Sequence, residues 1–300
     1  MRILITGANG FLGSNVLRTL LKNGHDIFAI SQNDESIKDL FGKIQFYKNK
    51  EDNYFNLKQD ILKFDPHIVL HFAWWGGNNY IDTNSTDQFN KNIPLTLSLL
   101  EIFKEVKSKN RFIGVGSFSE YGMISNKATE DTLENPNSYY GLSKNIVKNI
   151  SKMFCENNSI SWSWIRPCYI YGPGDVKTRL IPSIISKLKN QTSIELNSCT
   201  TIVDYLHIDD FSEAINLLIQ KQANGVYNIC SGQEYTIKNI VTSIANQFNK
   251  ENQLIFNAKL DRIDFPKYIC GSNNKLVNTT DWTPLIDIKD GISNMIKKEI

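Results

Sequence analysis

Short apolar stretches, RILIT, DIFAIS, HIVLHFA and RFIGVGS, alternate along the first half of the chain with longer ones, SNVLRTLLKNG, YFNLKQDILKF and PLTLSLLEIFKEV, whose apolar residues recur at helical spacing. The order is strand, helix, strand, helix, strand, helix, strand. Strands that are apolar throughout must be covered on both faces, so the pattern predicts a parallel sheet with helices on either side, a doubly wound α/β fold. It continues through a helix from about Tyr140 to Asn157, a strand SWSWIRP and a later strand GVYNIC. After Pro167 the texture changes to YIYGPGD, a helical run RLIPSIISKLKN and mixed short elements. Residues 1–167 are therefore expected to form the doubly wound domain and 168–300 mainly a smaller mixed α/β lobe, with 225–231 returning to the first sheet.

Composition changes this picture little. With 300 residues, 41% hydrophobic and 21% charged, the chain can bury a large core. A net charge of +2 and the lack of any long like-charge run give no attraction to nucleic acid. No apolar run approaches a membrane span, and MRILITGANG lacks the layout of a signal peptide, so a soluble cytoplasmic protein is expected. The 5 cysteines are scattered without a CxxC and read as reduced thiols. His67 and His71 have the spacing of a metal pair on a helix, but Pro66 and the β-branched residues make PHIVLHFA a strand, and no metal site is expected.

Candidate chemistry begins at TGANGFLG, which joins the first strand to the first helix. Gly7 permits the tight turn, Gly10 lets the backbone approach a diphosphate, and Gly13 lets helix and strand pack closely, while the helix N-terminus offers free N–H groups to the anion. This makes residues 1–167 a dinucleotide-binding (Rossmann) domain. The G-x-x-G-x-x-G spacing resembles the extended short-chain dehydrogenase/reductase family, in which TGxxGFxG is the usual form. Where an acidic residue would hold the ribose of NAD, the second strand ends in Ser31, Gln32 and Asn33. The missing carboxylate favours NADP; Asp34 is close and no arginine stands nearby in the sequence, so NAD stays open.

Among the 12 tyrosines two have a lysine four positions on, Tyr54 with Lys58 and Tyr140 with Lys144, and about one such match is expected by chance. The second pair opens the helix after a late strand and has Ser117 upstream in GVGSFSEYG; the first lies early in the sheet without such a partner. The phrase Pro136-x-Ser-x-Tyr140-Gly-x-Ser-Lys144 resembles the family's active-site motif, and Ser117 lies four residues before Tyr121-Gly122 as the family's catalytic Ser or Thr does. In that family the tyrosine exchanges a proton with a carbinol oxygen, and its pKa must fall from about 10 towards 7, a differential stabilisation of roughly 4 kcal/mol. An ammonium at about 4 Å supplies that order of energy at an effective dielectric near 20. Lys144 lies one helical turn on from Tyr140, whereas Tyr139 has Ser143 at that spacing.

The resemblance extends through DPHIVLHFA, Asn92, RPCYIYGPG, VDYLHIDD and NICSG, and points to the branch that acts on nucleotide-diphosphate sugars. It implies cofactor contacts from Gly7, Asn9, Gly10, Phe11, Leu12, Gly13, Ser31, Ala73, Asn92, Tyr140, Lys144 and Pro167, and a homodimer built on two helices per subunit. Departures from the pattern narrow the reaction. Dehydratases carry Thr-Asp-Glu where this chain has Ser117-Phe118-Ser119, with only Glu120 adjacent to Tyr121. Two common diphosphate-binding positions are Tyr169 and Val203 here, so the substrate must be held differently, by Arg179 or Lys177. In AWWGGNNY, Trp74 and Trp75 are candidates for an apolar wall against a 6-deoxy methyl group, Asn78 or Asn79 for hydroxyl contacts, and Ser117 and Ser119 for contact with the sugar.

The expectation is an NADP-dependent reduction of the 4-keto group of a nucleotide-linked 6-deoxyhexose, of the kind that serves surface polysaccharide synthesis, by Ser117, Tyr140 and Lys144. A 4-epimerase with tightly bound NAD and a non-catalytic NAD(P)-sensing protein are the alternatives, and the nucleotide base, CDP, dTDP, GDP or UDP, stays open.

Overall fold

The computed structural model describes residues 1–76, 83–190, 193–261 and 266–299. β1 (Arg2–Thr6) lies at the centre of the main sheet and alternates its side chains between two cores. Ile3 and Ile5 join a cluster with Val16, Leu17 and Leu20 of α1 (Phe11–Lys22), while Leu4 joins the opposite one. β2 (Asp26–Ser31) and β3 (Gln45–Lys48) extend the sheet to one side. β3 was not expected: its QFYK is short and only half-buried, so at the sheet edge it carries no apolar run to betray it.

YFNLKQDILKF divides into a 3₁₀ turn, Phe55–Leu57, and α2 (Lys58–Phe64). β4 (Ile68–His71), α3 (Asp87–Asn90), α4 (Asn92–Glu105), β5 (Arg111–Val115), α5 (Tyr139–Asn157) and β6 (Ser161–Pro167) complete the run. Pro94 falls in the first turn of α4, where the missing N–H costs nothing. Ser138 caps α5 by accepting from Gly141 N at 3.1 Å.

Beyond β6 come β7 (Tyr169–Tyr171), α6 (Leu180–Asn190), β8 (Ile194–Leu196), β9 (Ile202–Val203), β10 (Tyr205–His207) and α7 (Ile208–Gln220). There follow β11 (Gly225–Ile229), β12 (Tyr235–Thr236), α8 (Ile237–Gln247), β13 (Leu254–Phe256), β14 (Tyr268–Ile269), α9 (Asn274–Thr280) and α10 (Ile288–Glu299). The main sheet has the order β11-β6-β5-β4-β1-β2-β3, with every neighbouring pair parallel. α1 and α7 cover one face; α2, α4 and α5 cover the other. Small sheets pair β10 with β7, β9 with β12 and β14, and β13 with β8, around a core supplied by α6, α8 and α10.

The strand order reverses between β1 and β4, and a doubly wound sheet opens its crevice at the C-terminal ends of those strands. Among the described residues no helix is long and apolar enough to cross a membrane.

Candidate active site

Gly7 turns the chain out of β1 at φ +67°, and a Cβ there would meet Ala73 N at 2.7 Å, so the β1 and β4 ends can meet only through a glycine. A Cβ on Gly13 would lie 2.3 Å from Gly7 O, which fixes that position for helix-to-turn packing. Gly10 differs: its Cβ would meet only Gly7 O, at 3.2 Å, so protein packing leaves the space above it open. No side chain caps α1 at Gly10 and no acidic residue stands in its first turn. Open space over an uncapped helix N-terminus, beside Phe11 and Leu12, suits a dinucleotide diphosphate.

Asn9 ties this turn to the loop after β2, accepting from Ser36 N at 2.5 Å and donating to Asn33 Oδ1. Ser31 joins the ladder there, its carbonyl accepting from Asn49 N at 2.9 Å. An arginine does stand nearby in space: Arg18, from α1, donates to Ser36 O at 2.7 Å and pairs with Asp39 at 2.5 Å. Sequence distance hid it: α1 delivers Arg18 to the segment after β2.

Ser117 follows β5, and Tyr140 reaches it from α5, with Lys144 one turn further along that helix. The Ser117 hydroxyl faces the Tyr140 phenol closely enough to favour its ionised form. It also accepts from Ser119 N at 3.1 Å and lies 3.2 Å from Ser119 Oγ. Lys144 is buried, donates to Val115 O at 2.7 Å, and has its Nζ 5.8 Å from the Tyr140 ring centre. Burial pushes its ammonium down to about 7, against the pull of Glu120. The expected depression of the Tyr140 pKa is corrected here: burial raises it, and the Ser117 hydrogen bond and the Arg179 charge only oppose that rise. The Lys144 ammonium is directed to Val115 O rather than to the phenol oxygen.

Behind the site, Glu120 is completely buried. It accepts from Ser117 N at 2.8 Å, Trp164 Nε1 at 3.0 Å and Arg166 Nε at 2.8 Å, and Arg166 passes on to Tyr121 Oη and Glu134. His71 lies between Thr6 Oγ1 at 2.7 Å and Thr96 Oγ1 at 2.9 Å, and burial drives it down to about 3. Thr6 Oγ1 also accepts from Ala73 N at 3.2 Å, which fixes the backbone at the crevice floor.

Asn92, expected to touch the cofactor, is buried and holds the loop after β4: its Oδ1 accepts from Trp75 N at 2.7 Å and its Nδ2 donates to Gln88 O at 3.0 Å. Trp74 stands edge-on to Tyr140, and Trp75 lies under Lys91 Nζ at 4.6 Å. Asn78 and Asn79 lie outside the described residues.

Pro167 ends β6 half-buried. Tyr169 stacks on Tyr205 with ring centres 5.2 Å apart, and Val203 is fully buried, an apolar side chain in place of a phosphate donor. Arg179 pairs with Asp175 at 3.2 Å and lies 5.9 Å from the Phe11 ring, so it faces the glycine turn as well as Tyr140. Asp175 is nearly buried, which raises its carboxyl to about 6. Lys177 is exposed on the same loop. The competing pair separates: Tyr54 is buried in the core with its phenol pushed up, and Lys58 pairs with Glu105 at 2.8 Å.

Residues 3–230 match the family described as the NAD dependent epimerase/dehydratase family. Among curated proteins the chain is 28% identical over 252 residues to the dTDP-6-deoxy-L-talose 4-dehydrogenase (NAD(+)) of Aggregatibacter actinomycetemcomitans, covering 83% of this chain and 91% of that protein. It is 26% identical over 316 residues to the GDP-6-deoxy-D-mannose reductase of Pseudomonas aeruginosa, covering 97% and 94% respectively. Among solved structures, the UDP-glucuronic acid 4-epimerase of Bacillus cereus, in complex with UDP-glucuronic acid and NAD, has a TM-score of 0.88 at 24% identity. That match covers 100% of both chains and shows a shared fold.

Proposed function

The chain belongs to the NAD dependent epimerase/dehydratase family, and from that premise we propose that it reduces the 4-keto group of a nucleoside-diphosphate-linked 6-deoxyhexose, with NADPH preferred over NADH. The observation that carries this reading is the convergence of Ser117, Tyr140 and Lys144 beside a turn whose carboxylate, Glu120, is buried among Ser117 N, Trp164 and Arg166. Removing water across two sugar carbons needs an acid and a base in that turn, and Ser117-Phe118-Ser119 offers neither.

A dinucleotide held over Gly10 and the N-terminus of α1 would supply the hydride from its nicotinamide. Ser117 holds the oxygen on carbon 4, and Tyr140 gives that oxygen its proton. A phenol whose pKa is raised stays protonated at neutral pH, which suits a donor better than a base. In its protonated form Lys144 places a positive charge behind the phenol as it becomes phenolate. Arg179, held by Asp175 between the glycine turn and Tyr140, suits the substrate diphosphate. The names of the two curated relatives place their chemistry on 6-deoxyhexoses carried by a nucleoside diphosphate. The preference for NADPH rests on Arg18 and the uncharged Ser31-Gln32-Asn33 end of β2.

The reading is tested with CDP-, dTDP-, UDP- and GDP-linked 4-keto-6-deoxyhexoses against NADPH and NADH. At least one pair should turn over at a rate that Tyr140→Phe lowers by roughly 10²–10⁴-fold. Turnover that Tyr140→Phe leaves intact would reject it.

A further inference from the structure

Trp74 follows Ala73 where the chain leaves β4, and its indole lies against the reacting pair. Lys144 Nζ stands 3.5 Å from the centre of its ring. Tyr140 meets the same indole edge-on, with ring centres 6.2 Å apart and planes at 87°. The far edge is anchored: Nε1 donates to Gln88 Oε1 at 2.9 Å, and that oxygen also accepts from Asn92 Nδ2 at 3.2 Å. Gln88 is completely buried on α3, so the indole plane is fixed from behind.

An ammonium has three N–H donors, and among the described residues the protein oxygen that Lys144 reaches is Val115 O. A buried ammonium with one acceptor is poorly compensated. The face of an indole is the strongest aromatic partner for such a charge, and it acts without a hydrogen bond or a counter-charge. We propose that Trp74 is the positioning residue for Lys144, its indole face holding the ammonium beside Tyr140 and Gln88 holding the indole in place. A carboxylate at this position would bind Lys144 more strongly but would turn it away from the phenol; a π face stabilises the charge and leaves the remaining N–H groups free to point into the site.

The other groups that face Lys144 are Glu120 from the turn after β5, His71 from β4, and Tyr140 on its own helix. His71 is neutral above about 3, so among these Glu120 and the indole oppose the burial of the charge. The consequence for turnover rests on the reading of Tyr140 and Lys144 as the reacting pair; the contact itself can be measured without any reaction.

The experiment is an NMR pH titration of the full chain labelled with ¹⁵N-lysine, with the Lys144 signal assigned by Lys144→Arg. In the unaltered protein Lys144 should titrate near the value of about 7 set by burial. Trp74→Leu, which removes the π face but keeps apolar bulk, should lower that midpoint by roughly one unit, and Trp74→Phe by less. Gln88→Met, which frees the indole, should shift it in the same direction. An unchanged midpoint in a folded Trp74→Leu protein overturns the assignment, and Trp74→Phe serves if Trp74→Leu does not fold. With a turnover assay in hand, Trp74→Phe should lower kcat more than it raises KM for the cofactor; an effect on KM alone would mark Trp74 as a wall of the binding site and overturn the assignment. A shifted midpoint in a protein that reduces no 4-keto sugar supports the positioning role and counts against the proposed reaction instead.

Discussion

Burial shifts the proposed reacting residues in opposite directions, raising the Tyr140 phenol and lowering the Lys144 ammonium, and that makes them testable one at a time. Tyr140→Phe removes the proton donor and leaves the ring, so kcat should fall by roughly 10²–10⁴-fold while cofactor affinity, measured by fluorescence titration, stays close to its original value. Lys144 titrates below its unfolded value because burial disfavours the ammonium. The unfolded chain therefore binds more protons, and this burial penalty on stability is full below about 7 and disappears as the pH rises through the usual lysine range. Lys144→Met should accordingly gain in melting temperature over the unaltered protein at pH near 6, with the gain shrinking towards pH 10, while activity is lost. A gain that does not depend on pH would contradict the buried ammonium. At this scale the sequence singled out Tyr140 through Ser117 and the spacing to Lys144. It left illegible the direction in which Lys144 points, because a side chain's choice between Val115 O, the Trp74 face and the phenol is a matter of distances.

The elements divide by how strongly their own residues specify them. β1, β4, β5 and β6 are buried almost throughout, so apolar runs announce them; β3 lies at the edge with half-buried residues and announces nothing. In the β1-to-α1 turn Gly7 and Gly13 answer separate steric demands of the protein itself, which is why the sequence made them legible, while the space over Gly10 is open. Gly13→Ala places a methyl 2.3 Å from Gly7 O, a backbone atom that cannot retreat, and should weaken cofactor binding by tenfold or more as well as lower thermal stability. Equal cofactor affinity in isothermal titration would contradict the tight packing of helix on turn. Arg18 shows the converse, a residue that α1 delivers to the loop after β2 from far away in sequence. If it receives the extra phosphate of NADPH, Arg18→Ala should raise KM for NADPH by roughly tenfold, the worth of one charge-assisted hydrogen bond, and leave KM for NADH unaltered. A parallel rise in both would assign Arg18 to holding the loop.

For the whole molecule, the parallel sheet and its reversal between β1 and β4 bring the glycine turn, the Ser117 turn and the start of α5 to one crevice. α5 also presents Leu142 and Met153 to solvent, 40% and 65% exposed, with Ile146 and Ile150 half-buried between them. A homodimer through this helix would cover the stripe. Sedimentation should then show a dimer that Leu142→Glu with Met153→Glu converts to monomer, and an unaltered mass would place the interface elsewhere. The most direct test of the central claim is cofactor stoichiometry: the purified chain is given NADPH and the 4-keto-6-deoxy sugar nucleotide that it accepts, and nicotinamide absorbance and sugar product are quantified together. Reduction predicts one NADPH oxidised for each sugar, with a product heavier by two hydrogens. Conversion of a sugar nucleotide to its epimer with no net change in the cofactor would contradict it.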